Sequence, residues 1–511
     1  MQKYNMYQKI LALLLSSIIM MQFSGCYSLR SISKGEIQYA TKNYYVIHGN
    51  NSSYTVTNVS ITNGILSGYL NYIQPVGKKQ SVHLYVAPDS AMKKNGDILS
   101  IPFANIAKVE VNKIDGGKSV IMGFGIGYSV LLVVFVIALL SKGASCPFIY
   151  SDDGSNITFE GEIYSGATAI PLERDDFLKL RSLKPVDNQY KIKLTNEVNE
   201  IQNTNLTELF VLDHPAGTDI LIDKYGNEHS VTDIKKPLNA VNNYGRSLVN
   251  EFSYCDSNRY ISDLKNDNLL KDTISLTFDK PPNATSSKLI ISGKNTMWLD
   301  YMFGRFTDLF GKRYDAWKEK RDKKSGKELL QWEFDQGLPL AVYLETDSGL
   351  KFVDYYNLPG PMADKEDILF IDLSGVSGDR VNLKMVSGML FWDLDFIGMD
   401  FSADQPVNKT MVPVSSATDE NKRDVSSLLR HDDSNYLIQP DGNNQTSITF
   451  PAPPLLPGMS RSLFLHTKGN YEILRDAKGK PDIAYLKSFL EPGSFIKLSK
   501  DHILKYYEKS N

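Results

Sequence analysis

The chain has 511 residues, with 56 Lys or Arg against 59 Asp or Glu, for a formal net charge of −3. At 42% hydrophobic and 23% charged it has the composition of ordinary globular material, and its length sets a prior of about three domains. The balance leaves no basic stretch to bring it to nucleic acid and no acidic run to form a solvated tail.

Lys3 and Lys9 give a basic start without an acid. Ile10 to Met21 is an apolar run rich in Leu, Ile and Met, and Phe23-Ser24-Gly25-Cys26 follows it. A spanning helix needs about 20 apolar residues, so this run is short for one, while small residues before Cys26 suit a secretory cleavage. The segment resembles a lipobox, in which the signal is cut before a Cys that receives a diacylglyceryl group; Phe23 departs from the usual Leu or Val there. The resemblance implies a signal peptide over 1–25, palmitate-type lipidation at Cys26, and a mature chain held in a bacterial cell envelope at the outer membrane or periplasmic face. The alternative is an ordinary signal that ends beside a Cys. If Cys26 is lipidated, Cys146 and Cys255 remain as an even pair, open to a disulfide in an oxidising compartment or to two buried free thiols.

Residues 26–116 read as a small β domain. Tyr44 to Ile47, Tyr54 to Ile61, Ile65 to Leu70, His83 to Val86 and Ile106 to Val111 have strand character, and Asn63-Gly64 is a two-residue hairpin signal. About five short strands in so few residues predict a small barrel or rolled sheet. Their rhythm resembles the Sm-like or SH3-like barrels, and no binding site is carried over from it. Within 117–142, Val120 to Leu140 holds no charge between Lys118 and Lys142, has bilayer length, and has Gly123, Gly125 and Gly127 in its first half. It predicts a transmembrane or membrane-embedded helix; a buried core helix is the alternative. The glycine spacing lacks a nucleotide-binding fingerprint. A full crossing would put residues 142–511 on the side opposite Cys26, and the flanking lysines do not settle which side that is.

From 143 onward the pattern is β-sandwich with a helical interruption: a sandwich-like domain over 143–295, a helical insert over 296–330, a second sandwich-like unit over 331–470, and a C-terminal tail over 471–511. The Asp152-Asp153-Gly154 turn between apolar strands predicts a hairpin. Met302, Phe303, Phe306, Leu309, Phe310, Tyr314 and Trp317 recur at steps of three and four, the core stripe of a helix. Thr277-Phe278-x-x-Pro281-Pro282 is echoed by Thr449-Phe450-x-x-Pro453-Pro454, each reading as strand, proline elbow, strand. The fold class expected is mainly β: a small Sm/SH3-like barrel, one membrane helix, then β-sandwich units with an inserted helix.

The chemistry-bearing residues are sparse. The seven His are scattered, with neither His-Glu-x-x-His nor Gly-x-Ser-x-Gly among them. Cys146 precedes Pro147 without a nearby His, which gives no nucleophile. Asp393 and Asp395 alternate with Trp392, Leu394 and Phe396, so in a regular strand both carboxylates face one side. They are candidates for a metal, or for flanking a glycosidic bond; the polar face of a half-buried strand explains them as well. No cofactor is implied.

The stretches SCPFIYSDDGSNITFEGEIYSGATAIPLERDDF, GLPLAVYLETDSGLKFVDYYNLPGPMADKEDILFIDLSG and FWDLDFIGMD resemble a group of uncharacterised Bacteroidota-type lipoproteins. That group shares a Cys-Pro-x-x-Tyr-Ser-x-Asp-Gly hairpin, sometimes fused to tetratricopeptide repeats, which are missing here. It brings no activity with it. The expectation is a membrane-anchored envelope lipoprotein that binds or scaffolds without catalysis, touching lipid through Cys26 and residues 120–140, with an envelope protein or glycan as partner and no nucleic acid. The competing expectations are a carbohydrate-active enzyme using acidic residues on a sandwich face, and an assembly subunit held by its membrane helix.

Overall fold

The computed structural model describes residues 27–31, 44–49, 53–62, 64–70, 81–87, 92–96, 98–114, 147–265, 267–475 and 478–510. Cys26, Cys146, the signal segment and Val120 to Leu140 lie outside the described residues. Among the described residues no helix is long and apolar enough to cross a membrane. The chain divides into two compact units, Met1–Phe135 and Val136–Asn511.

The first unit is one eight-stranded sheet. Its strands are β1 (Tyr27–Ser31), β2 (Tyr44–His48), β3 (Ser53–Thr62), β4 (Ile65–Leu70), β5 (Ser81–Val86), β6 (Lys93–Asn95), β7 (Ile98–Pro102) and β8 (Ile106–Ile114). They lie in the order β1-β8-β5-β2-β3-β4-β7-β6, antiparallel except for β2 against β5. β3 and β4 pair as the expected hairpin, Thr62 opposite Ile65, with Gly64 at φ +73°. The five-strand barrel is corrected: among the described residues the order is an open path with β1 and β6 as edges. Ile47, Val56, Leu66, Leu84, Ile101 and Ile106 are fully buried in one cluster drawn from strands across that order, so the sheet rolls over its own apolar face.

The second unit is mainly β and is built as a duplication. Its first block of strands is β9 (Phe148–Asp152), β10 (Ile157–Glu162), β11 (Arg174–Lys179), β12 (Gln189–Thr195) and β13 (Glu200–Pro215). A hairpin follows, β14 (Asp219–Ile222) with β15 (Glu228–Val231). The second block is β16 (Ile234–Lys235), β17 (Asn239–Val241), β18 (Tyr260–Ile261), β19 (Lys271–Asp279) and β20 (Ser286–Asn295). After a helical stretch comes a third block: β21 (Leu340–Thr346), β22 (Gly349–Tyr356), β23 (Lys365–Asp372), β24 (Arg380–Gly388) and β25 (Trp392–Asp400). The last block is β26 (Asn408–Pro413), β27 (Ser416–Asp419), β28 (Leu437–Gln439), β29 (Gln445–Pro451) and β30 (Met459–Ile473).

One sandwich combines the first and last blocks, sheet β10-β9-β12-β29-β27 with sheet β11-β30-β13-β26, and β28 on β13. The other combines the middle blocks, sheet β22-β21-β24-β19-β17 with sheet β23-β20-β25-β16, and β18 on β25. Strand for strand these orders are the same when the first block is matched to the third and the second to the fourth. The second unit therefore holds two copies of one ten-strand set that have exchanged halves.

Local irregularities confirm the match. β10 bulges between Phe159 and Gly161 against β9, and β22 carries its extra residue at the same place against Val342 and Tyr343 of β21. The tilted Tyr150–Phe159 ring pair has its counterpart in the edge-on Tyr343–Phe352 pair, with centroids 5.4 and 5.5 Å apart. Asn205 bulges from β13 opposite Gly469, and Asp395 bulges from β25 opposite Gly293. Asn242 and Asp419 cap equivalent turns, each accepting from amides two and four residues on.

The segments 143–295 and 331–470 are thus the sequence repeats but not the folded units, which corrects the domain division. Each proline elbow carries its chain from one sheet of a sandwich to the other, from β19 to β20 and from β29 to β30. Phe278 and Phe450, just before the elbows, are both fully buried. The β14–β15 hairpin joins the two sandwiches by strand alternation. Ile220 and Ile222 pack on Phe177, Phe210 and Phe464, while Leu221 and Val231 pack on Ile290 and Ile368.

The helical stretch is not one helix. Its aromatic stripe runs through Met297–Asp308, a short turn at Gly311–Arg313, Tyr314–Arg321 and then Gly326–Asp335. Gly311 sits at φ +47°, and a Cβ there would meet the Gly479 carbonyl oxygen at 2.6 Å, so the chain must turn at this point. Met302, Phe306, Phe310 and Tyr314 are buried, as the periodicity predicts. The C-terminal segment is no loose tail. Tyr471 to Ile473 finish β30, and helices Ile483–Ser488 and Ser494–Ser510 pack on the stripe, with Trp298 Nε1 donating to Ser499 Oγ at 2.8 Å.

The paired bulges give a stability prediction. A Cβ on Gly469 would lie 2.5 Å from the Asn203 carbonyl oxygen, and one on Gly293 would lie 2.9 Å from that of Asp393. Gly469→Ala and Gly293→Ala should each destabilise by about 1–3 kcal/mol in urea unfolding. Gly375→Ala, whose nearest contact is 3.6 Å, should stay within about 0.5 kcal/mol. Equal effects at all three positions would refute the equivalence of the bulges.

Candidate functional site

Asp393 and Asp395 do not form an open acidic pair. The bulge at Asp395 breaks the alternation that would have set both on one face. Arg259 takes Asp393 Oδ1 at 2.6 Å and grips Asp364 through its two terminal nitrogens. Asp395 accepts from the Ser257 amide at 2.9 Å and so pins the loop before β18. Burial pushes Asp395 up to about 7 and also raises Asp393, with Arg259 opposing both. The counterpart of Asp395 in the other copy is Asn205, which accepts from the Asp433 amide in the equivalent loop. An amide serves where the carboxylate stands, so the position holds a loop and needs no charge. Among the described residues there is no cluster of three or more His, Cys, Asp or Glu that could hold a metal ion.

Cys255 carries a free thiol, and burial raises it well above the usual thiol range. His466 lies between Asp175 and Glu208 at 2.8 Å each and stacks on Phe177. Burial works against its charge, yet the two carboxylates push it up to about 9. It is an ion-paired histidine packed beside the β14–β15 hairpin.

The site that does assemble is a half-open pocket where the two sandwiches meet the helices, with about 550 Å³ of empty space including the solvent at its mouth. Its β wall comes from equivalent positions of the two copies: Ser165 matches Leu358, Thr168 matches Pro361, and Asn295 matches Tyr471. The same backbone bond closes each half, from the Tyr471 amide to Ala167 and from the Asn295 amide to Gly360, both at 2.9 Å. Arg174 fastens the halves beneath the pocket by donating to the Ser165 and Leu358 carbonyls. The pocket therefore lies on the pseudo-twofold relation between the copies.

The helices make it asymmetric. Thr296 caps Met297–Asp308 by accepting from the Leu299 amide, and that helix presents Leu299, Asp300 and Phe303 to the pocket. A Ser325–Glu328 capping box starts Gly326–Asp335, which presents Glu333. Glu333 is half-buried, and desolvation pushes it up to about 7 against the pull of Arg174.

A third acid stands behind the wall. Glu162 is 3% exposed, and its carboxyl lies so close to Gly360 that a Cβ there would come within 2.4 Å of Oε2. Gly360 is at φ +93°, a second reason for glycine at that point. Glu162 Oε2 accepts from the Met362 amide at 2.7 Å, while Oε1 is buried without a hydrogen-bond partner. Burial pushes Glu162 up to about 8; Asp300 adds to the rise, and the Met362 and Ala363 amides and Lys294 oppose it. None of these acids carries a motif. Only the capping box before Glu333 and the Gly360 turn leave a local sequence signal.

No family model matches the chain, and no curated protein matches it. Among solved structures, one of the infectious bursal disease virus Gt strain aligns over 72% of this chain and 90% of its own at 9% identity, with a TM-score of 0.14. One of the Gx strain aligns over 70% and 86% at 8% identity, with a TM-score of 0.15. At such scores the alignments carry no argument about fold or function.

Glu162 gives a pH prediction. Its folded-state affinity for protons exceeds that of an ordinary carboxyl, so the folded state holds more protons than the unfolded one between about pH 4.5 and 8. Its contribution to stability therefore falls as pH rises through that window. Glu162→Gln removes the titration, so the stability of the variant relative to the parent should rise from pH 5 to pH 8. The rise should be at least about 1.4 kcal/mol, the worth of one pKa unit. Urea midpoints at the two pH values measure it, and an unchanged difference would refute the assignment.

Proposed function

We propose that this protein is a cell-envelope lipoprotein, tethered through Cys26, whose large β unit serves as a binding module rather than a catalyst. The observation that carries the binding role is the pocket at the junction of the exchanged sandwiches, walled by both copies and completed by helices that belong to neither. Such a concave, mostly apolar space with a few convergent polar groups is the usual form of a ligand site. The tether rests on the lipobox-like Phe23-Ser24-Gly25-Cys26 after a basic start and an apolar run. Lipid chains supply membrane affinity of roughly 0.8 kcal/mol per buried methylene. Asp393 and Asp395, the residues for a glycan-cleaving alternative, are engaged by Arg259 and by the loop before β18.

Two measurements test this reading. Intact mass of the membrane fraction should show a mature chain that begins at Cys26 and carries acyl mass, and Cys26→Ser should leave the chain unacylated and extractable without detergent. An unmodified Cys26 on a membrane-bound chain would refute the tether. Incubation with a broad glycan panel should give no turnover; turnover abolished by Asp393→Asn would establish the enzyme instead.

A further inference from the structure

We propose that the pocket takes a small organic cation, an ammonium group on an apolar or aromatic stem, with Glu333 as its counter-charge. This rests on the binding role above and adds the ligand class. The charged side chains lining the pocket are Asp300 and Glu333, and no Lys, Arg or His lines it. Among the described residues the Glu333 carboxylate has no hydrogen-bond or ion-pair partner, although it stands half-buried at the end of a capped, rigid helix. An acid held in that position without a partner is costly unless a cation arrives to pair with it.

Glu162 places a third carboxyl behind the wall, largely protonated near neutral pH until a cation comes beside it. Its buried Oε1 lacks a partner, and its carboxyl lies against Gly360, which lines the pocket. Arg174, which acts on Glu333, and Lys294, which acts on Glu162, are outside the lining. Arg174 is already committed to the Ser165 and Leu358 carbonyls. The rest of the lining suits an organic cation better than a hydrated metal ion. Phe303 offers a ring face for a cation or a stem, and Leu299, Leu338, Leu358 and Ile473 supply apolar surface.

The test uses the full chain and three probes that share one ring: benzylammonium, benzyl alcohol and benzoate, with glucose as a fourth. Ligand-observed NMR titration should show benzylammonium binding at least about tenfold tighter than benzyl alcohol, the ratio that one charge-assisted contact of about 1.4 kcal/mol gives. Benzoate should bind more weakly than either. Glu333→Gln should bring the ammonium-to-alcohol ratio close to one, and Asp300→Asn should reduce it, with folding of both checked by circular dichroism. Glu345→Gln, an exposed acid on β21, should leave the ratio unchanged. If benzyl alcohol or glucose binds as tightly as benzylammonium, or if the ratio survives in folded Glu333→Gln, the cation assignment is overturned while the binding role stands. If no probe binds at all, both fail.

Discussion

Two long ladders hold the large unit together, β13 against β30 and β25 against β20. Each pairs strands from different copies of the repeat; His466 and Glu208, which face each other in the first, are 258 residues apart in the chain. In each, one strand carries an extra residue and the other a glycine opposite it. The bulge bends and twists the ladder, and the glycine lets the bent backbones approach where a Cβ would strike a carbonyl. A central strand without this partner would leave a row of buried donors and acceptors unpaired. The ladder therefore forces each half-unit to find the half from the other copy, and the sheets, elbows and pocket follow from that exchange.

The exchange explains which parts of the molecule are free to specialise. Positions that hold the sandwich recur in both copies, down to the buried phenylalanines before the proline elbows and the caps at Asn242 and Asp419. Positions that recur only as shapes have diverged in chemistry. Asp395 and Asn205 pin equivalent loops with different charge, and Lys365 stands at the position of Arg174 while pairing with Asp176 across the interface. Among the described residues Asp300 and Glu333 have no counterpart in the other copy. They stand on helices between the second and third blocks, outside the repeated unit. A symmetric wall with asymmetric charge is the outcome expected when a duplicated scaffold receives one added layer.

Much of the local structure was legible in the residues. Asn63-Gly64 and Asp152-Asp153-Gly154 gave their hairpins, because turn chemistry acts over a few residues. The aromatic stripe from Met302 to Trp317 correctly read as core, since three- and four-residue spacing reports burial. It did not show the break at Gly311, which answers to a carbonyl at Gly479 far along the chain. The echo of Thr277-Phe278 in Thr449-Phe450 was the visible edge of the duplication. The rest was hidden because sandwich positions ask only for an apolar residue at the right face: Ile192 and Leu383, or Phe177 and Ile368, are equivalent in space and unalike in letters. The exchange of halves leaves no local mark at all, since a strand's pattern says that it pairs and not with which partner. Asp393 and Asp395 misled for a related reason, as the bulge that breaks their alternation is accommodated by Gly293 on the neighbouring strand, far off in the sequence.

The same reasoning bears on why the pocket tolerates buried acids. A carboxyl without a partner is a standing cost to the fold, and Glu162 and Glu333 both stand high for that reason. In the β wall, the copy that lacks such an acid shows what the scaffold alone requires. The position equivalent to Glu162 is Tyr355, and the residue equivalent to Gly360 is Ala167, which carries the Cβ that Glu162 excludes from Gly360. The scaffold is complete with tyrosine and alanine there. Glutamate and glycine are a paired departure from it, made on the side of the pocket where Asp300 and Glu333 also face. A pair that needs both glutamate and glycine to fit, and that sets an ionisable group beside one cavity, points to what the cavity receives rather than to what the sandwich needs.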